Sequence, residues 1–389
     1  MLAERLSDET AAFEAEIDAI RAVHGERDRE RFSRPLIEAL GRSPLTHILQ
    51  ENRAAGPGTL VEVLRACRHL GRIDTSLGWV VGVANSAWSM RANFGRMSDA
   101  DDAMRDNRLL ALVLGRPGVL SRDGETGSFR LNGTWGYASG SQYASMFFGL
   151  AMVEGSSSPD VRVVAVPAAL MTVRHPWNAV GLRGTQSVMI EAKDIVIPQA
   201  QTRSYGEILS GATRRSGQAS YGHLFTGVLM NCLQGSVLGA CEAALDHVTE
   251  TAKTRPVTGS TFAAMADSGA LRAELGRLRG ELDLILRAAE YNADRVDRAA
   301  RNPAAGLDTA ERVDLRGRVT RIMRSAVAIV QDLLWIYGSS GLDRGDPLER
   351  IWRDVNVGAR HGGFAKLVPE ELAGRVALGL EPTELTRMF

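Results

Sequence analysis

Residues 338–363 read GSSGLDRGDPLERIWRDVNVGARHGG. A Gly/Ser-rich turn leads into Pro347-Leu348-Glu349-Arg350, then Trp352-Arg353-Asp354, and the segment closes on His361 beside Gly362 and Gly363. It lies in the last of four helical patterns, 223–254, 270–302, 309–338 and 345–367, each with an apolar stripe and a short connection to the next. Four such segments read as an antiparallel bundle over 206–389. Arg353 and Asp354 read as charges that hold the last helix.

Upstream the period changes. Between 111 and 205, runs such as GSFRLNGTWGYAS, MFFGLAMV and VRVVAVP are β-branched, aromatic and alternating, with Gly, Pro, Asp and Ser at hairpin-like intervals. Residues 1–110 are again helical, with a break at Gly71–Asp74. Asp74, Thr75 and Ser76 there offer N-caps for the helix carrying Trp79 and Trp88. The fold class is mostly α with an inserted β-domain, in units 1–110, 111–205 and 206–389.

At 389 residues the chain exceeds what one core usually organises. Its 46 basic and 46 acidic residues cancel, which argues against nucleic acid or an anionic membrane surface as partner. No apolar run reaches the length of a membrane span, about 20 residues. The N-terminus is a charged amphipathic pattern and not a signal peptide, so a cytoplasmic location is expected. Cys67, Cys232 and Cys241 read as small buried core residues. His47, His69, His175, His223 and His247 lack metal-ligand spacing, so no metal is expected. No G-x-G-x-x-G opens a helix after a strand, so no nicotinamide site is expected either.

Four stretches together resemble the acyl-CoA dehydrogenase fold: 338–363 itself, NGTWGYASGS (132–141), WNAVGLRGTQSVMIEAKDIVIP (177–198) and TSLGWVV (75–81). The resemblance implies an N-terminal helical domain, a central β-barrel domain and a C-terminal four-helix bundle, assembled as a homotetramer. Many dehydrogenases of that fold follow this segment with Tyr-Glu-Gly, whose Glu removes the substrate's α-proton. Counted from Arg350, the Tyr position falls on His361 and the Glu position on Gly362, and glycine takes no proton. The chain therefore looks like the two-component flavin-dependent monooxygenases, as their oxygenase component. That implies reduced FMN or FAD from a separate flavin reductase, O2, and hydroxylation of a small organic substrate at carbon or nitrogen through a C4a-hydroperoxyflavin. The alternative is an acyl-CoA dehydrogenase-like oxidoreductase with its base relocated, for example to Glu242 or Glu274. A flavin-free member retained for binding is the third reading.

The resemblance also assigns residues. Ser139 falls where the fold places a hydroxyl against flavin N5 and O4, backed by the Gly140 amide. Trp135 and Trp177 are flat surfaces suited to cover the ring. Arg183, Thr185 and Ser187 form a polar loop able to hold a flavin or substrate oxygen. Arg255 falls where relatives reach the cofactor phosphates of a neighbouring subunit, a task suited to guanidinium geometry. Trp79, Trp88 and Trp177 are expected to line the substrate pocket. His361 is the expected catalytic group with Ser139, exchanging protons near neutral pH. Ala87 stands where phenol-hydroxylating relatives tend to carry a second histidine, which shifts the expectation toward N-hydroxylation or another carbon substrate.

Overall fold

A computed structural model describes residues 2–51, 58–97, 99–124, 127–213, 221, 224–302, 306–364 and 367–386, and the side chains of these except 2–10, 28, 99 and 100. His223 lies outside the described residues. The first helices are α1 (Leu2–Val23), α2 (Arg34–Arg42), α3 (Leu60–Ile73), α4 (Thr75–Arg91) and α5 (Asp99–Asp106). Seven strands follow: β1 (Leu110–Asp123), β2 (Ser128–Ala138), β3 (Met146–Val153), β4 (Val161–Pro167), β5 (Thr172–His175), β6 (Val188–Ile197) and β7 (Thr202–Ser204). Then come α6 (Tyr205–Ser210), α7 (Phe225–Ala252), α8 (Gly269–Arg301), α9 (Thr309–Tyr337), α10 (Pro347–Gly358) and α11 (Val368–Ala377).

Helix starts obey local chemistry. Thr59 and Glu62 form a capping box on α3. The Asp74 carboxylate accepts from Ser76 N at 2.7 Å and opens α4. Asp346 caps α10 ahead of Pro347 by accepting from Leu348 N. The fourth bundle helix is shorter than the 345–367 pattern suggests. It stops at Gly358 after 12 residues, and the chain then turns through His361–Phe364.

From Thr75 to Met90 every residue of α4 is buried, as expected for a helix without a polar face. It lies between α3, α7 and the sheet, and glycine makes the approach close. A Cβ on Gly82 would stand 2.4 Å from Cys232 O on α7, and one on Gly239 of α7 only 1.9 Å from Arg68 O on α3. By length and composition α7 could cross a membrane, yet most of its apolar window is buried inside the protein, which accounts for its character.

The strands form one mixed sheet in the order β5-β6-β2-β1-β3-β4-β7, with β1 and β3 parallel and the other pairs antiparallel. The expected central β-domain is this one mixed sheet, with β5 and β7 at the two ends of its order. Its ladder is interrupted by a register shift between Val113 and Gly118 in β1 and by those in β2 against β6. The interior is filled by Trp135, Phe129, Phe147 and Ile190, while Phe148, Met146 and Leu112 form the opposite face, in one core with Trp88 and Met90 of α4.

Candidate active site

Two segments meet over the middle of α4. One follows β2 and carries Ser139 and Gly140; the other precedes β6 and carries Leu182, Thr185 and Ser187. Gly140 has φ +72°, and a Cβ there would lie 3.3 Å from Val80 Cγ1. Its amide donates to Thr185 O at 2.8 Å, so that N–H is spent within the protein and does not back a ligand as expected. Tyr137, Leu182 and Gln186 all have positive φ, a conformation these residue types seldom adopt.

A chain of hydroxyls links the segments. Thr185 Oγ1 donates to Leu182 O at 2.7 Å, the only direction possible because a carbonyl cannot donate. The contact between Thr185 Oγ1 and Ser187 Oγ, 2.7 Å, must then use the Ser187 proton. The contact between Ser187 Oγ and Ser139 Oγ, 2.6 Å, must use the Ser139 proton. Each hydroxyl has one proton, so the count closes: Ser139 presents only acceptor lone pairs to anything else that approaches it.

His361 borders the same stretch of α4 from the bundle side. Its ring packs edge-on to Trp79 with centroids 5.7 Å apart, and against Phe364 at 5.5 Å. A Cβ on Gly358 would meet both Trp79 and Leu182, which ties this turn to the hydroxyl segment. Nδ1 accepts from Gly363 N at 3.2 Å, so the proton of the neutral ring sits on Nε2. Burial pushes its pKa down to about 4. At neutral pH it is therefore a neutral N–H donor, and not the half-protonated acid–base group expected from an ordinary histidine.

The two halves are clamped together. Asp354 on α10 is buried and accepts from Leu182 N at 2.6 Å. Arg353 donates to Val180 O and pairs with Glu349 at 2.6 Å. Gly181 lets the loop lie against α10, for a Cβ there would come within 2.4 Å of Arg353 O. Arg350 reaches back to Asp74, 3.1 Å away, where His24 Nε2 also approaches to 3.6 Å. Burial raises the Asp354 pKa to about 7, with the negative charge of Asp74 adding to it.

Other expected residues fall elsewhere. Trp135 is fully buried in the sheet interior, its indole N–H satisfied by Leu150 O at 3.1 Å, so it packs the β-core and does not cover a ligand. Trp88 is nine residues beyond Trp79 on α4, about 180° round the helix. It faces the sheet core with its N–H on Arg108 O, so the two tryptophans do not line one wall. Trp177 is half-buried, donates to Leu182 O and meets the exposed Tyr137 edge-on at 5.9 Å. Arg183 points out to an ion pair with Glu30. Arg255 lies 4.4 Å above the Tyr337 ring and donates to Ser340. The role expected of Arg255 is toward the cofactor of a neighbouring subunit. Tyr143, which donates to Gly184 O and accepts from Phe32 N, braces the site along with Asp354, and it had no signal in the sequence beyond being polar. Among the described residues no group of acids, histidines or cysteines is arranged to hold a metal.

Comparison with known proteins agrees with this architecture. Residues 232–366 match the acyl-CoA dehydrogenase C-terminal domain. The chain is 26% identical over 386 residues to the oxygenase component of an FADH2-dependent resorcinol hydroxylase from Rhizobium sp. (strain MTP-10005), covering 92% of this chain and 94% of that one. It is 26% identical over 392 residues to the indole-3-acetate monooxygenase of Pseudomonas putida, covering 95% and 94%. The structure of XiaF from Streptomyces sp. in complex with FADH2 and glycerol superposes with a TM-score of 0.86 at 26% identity, covering 98% of this chain and 97% of that chain.

Proposed function

The chain is a relative of the flavin-dependent oxygenase components built on the acyl-CoA dehydrogenase fold, and from that premise we propose that it is itself such a component. It takes reduced FMN or FAD from a separate reductase and, with O2, hydroxylates a small organic molecule. The observation that carries this reading is the turn after α10. A neutral imidazole stands there, and Gly362, at the position where the fold's dehydrogenases carry their base, has open space about its Cβ position. Glu242 is held by Arg68 and Arg72 on the α3 side of α7, and Glu274 lies in a surface pair with Arg277.

Reduced flavin supplies the electrons that activate O2. This chain's residues fit it in a specific way. Ser139, confined to accepting, matches the N5–H of reduced flavin, whereas N5 of oxidised flavin is itself an acceptor. Trp79, Phe364 and the buried face of α4 shield one side of His361 from water. His361 Nε2–H is a neutral donor held by Gly363 and Trp79. The three free, buried thiols support a cytoplasmic setting.

The reading is tested by supplying NADH and O2 to the purified chain. No NADH should be consumed until a flavin reductase and free flavin are added; steady oxidation by the chain alone would sink the two-component assignment. A second test addresses the hydroxyl chain. Thr185→Val removes the hydroxyl that sets its polarity and frees Ser139 to donate. The preference for reduced over oxidised flavin, titrated anaerobically, should then shrink by about three- to tenfold, the worth of one hydrogen bond. An unchanged ratio would remove the polarity argument.

A homotetramer is the assembly this reading entails. Trp335 on α9 is 85% exposed and Leu284 on α8 67%, in the apolar stripe already evident in the sequence. Light scattering should return about four times the chain mass of 42.0 kDa, and a monomer at micromolar concentration would refute it.

A further inference from the structure

Leu182 is the residue through which the hydroxyl segment is held. Its carbonyl accepts from Thr185 Oγ1 at 2.7 Å, from Thr185 N at 3.2 Å and from the Trp177 indole N–H at 3.0 Å. Its amide donates to Asp354 Oδ1 at 2.6 Å. Its φ is +51°, a conformation leucine seldom adopts, so the segment keeps this shape because its surroundings hold it there. Of the partners that do so, the Asp354 carboxyl is the one able to gain or lose a charge.

The charged groups around Asp354 are turned elsewhere. On its own helix, Arg353 is committed to Glu349 and to Val180 O. Arg350 lies one turn before it but pairs with Asp74 at the cap of α4. His24, just past the end of α1, also brings its Nε2 to within 3.6 Å of Asp74. The loop side offers the Leu182 amide and, further out, Arg183, which pairs with Glu30. Both basic side chains of the cluster thus face Asp74, and Asp354 is left with an amide. Ionising both buried carboxyls puts negative charge out of water, which is costly. Burial first, and the Asp74 charge second, raise the Asp354 pKa to about 7, with Arg350 and Arg353 offsetting only part.

We propose that Asp354 is a positioning residue operated by one proton. Loss of that proton makes the hydrogen bond from the Leu182 amide a charge-assisted one, fixes the 182–187 segment, and so favours binding of reduced flavin at Ser139. The proton passes to solvent and returns when the flavin leaves. A carboxylate accepts from an N–H roughly twice as strongly as a neutral carboxyl does. A ligand that prefers the ionised form binds more tightly as pH rises through about 7, and gains nothing further above that range. The identity of the ligand rests on the oxygenase reading; the grip of Asp354 on Leu182 does not.

The test is anaerobic titration of the parent and of Asp354→Asn with reduced FMN between pH 5.5 and 8.5. Asparagine keeps an oxygen that accepts from Leu182 N but carries no charge, so it reproduces the protonated state at every pH. Protons that reduced FMN itself exchanges are common to both proteins and cancel in the ratio of their dissociation constants. That ratio should be near one at pH 5.5 and rise about three- to tenfold by pH 8.5, the difference between a charged and a neutral hydrogen bond. Asp74→Asn should move the midpoint of the pH profile downward, because a charge that opposes ionisation of Asp354 is gone. A purely structural Asp354 would leave that midpoint where it is. Should Asp354→Asn lose its fold by circular dichroism, the midpoint shift decides by itself. A ratio that stays flat with pH, or an unmoved midpoint, overturns the proposal and leaves the flavin reading in place. Failure of the parent to bind reduced FMN at any pH overturns both.

Discussion

In His361→Ala, the productive step with pre-reduced flavin should slow by about a hundredfold, and the oxidising equivalents should appear as H2O2. The magnitude is that of deleting one preorganised donor from a water-poor site. The physical reason lies in what this histidine is. Packed against Trp79 and Phe364 and bonded through Nδ1 to Gly363 N, it offers a single fixed Nε2–H. His361→Gln, which keeps an N–H donor, should recover part of the yield, whereas a merely structural role would not distinguish Gln from Ala. The pH profile provides an independent check. With its pKa pushed down to about 4, the ring stays neutral across pH 5.5–8, so coupling should be flat there. A break near pH 6.5 would show an ordinary, water-exposed imidazole. Single-turnover measurement of product against H2O2 decides both points, and unchanged coupling in His361→Ala would leave the residue a packing role.

What the sequence made legible was the order of elements, because periods of 3.6 and 2 survive in the apolar pattern whatever the tertiary contacts are. It could not say which side of a strand or helix meets a ligand. Trp135 shares its motif with Ser139, yet strand alternation and the glycines at 118, 133 and 149 turn the indole into the sheet interior. Trp88 goes the opposite way from Trp79 for the same geometric reason. Thr185 and Ser187 could be picked as a polar loop, but the direction of their protons depends on the Leu182 carbonyl, whose positive φ no residue type announced. The end of α10 was misjudged because the pattern GARHGG continues an amphipathic period in letters while its glycines stop it in space. Asp354 could be read as a charge holding a helix. Its actual partner, the amide of Leu182, lies 172 residues away in sequence.

Asp74→Ala should cost about 3–5 kcal/mol of stability, the usual effect of stripping the partner from a buried charge. Asp74 is almost wholly buried, pairs with Arg350 at 3.1 Å, and caps α4 through Ser76 N. Losing it leaves the Arg350 guanidinium, itself largely buried, without that carboxylate and opens the helix that carries Trp79. Asp74→Asn separates the two roles: it can keep the cap, worth about 1 kcal/mol, while losing the ion pair. The same variant changes the pH dependence. Asp354 has a folded pKa raised to about 7 from an ordinary value of 3.8, by burial first and by the charge of Asp74 second. A carboxyl raised in this way favours folding when protonated, so its contribution is complete below pH 3.8 and is lost as pH rises through about 7. Removing the Asp74 charge lowers the Asp354 pKa and shrinks that loss. Unfolding followed at pH 5 and pH 8 should therefore show a smaller Asp354-linked drop in Asp74→Asn than in the parent. The hydroxyl segment and the His361 turn hang on the same α10 clamp, so the destabilised variants should also bind reduced flavin more weakly. An Asp74→Ala protein as stable as the parent at both pH values would show that Arg350 and Asp354 do not depend on this carboxylate.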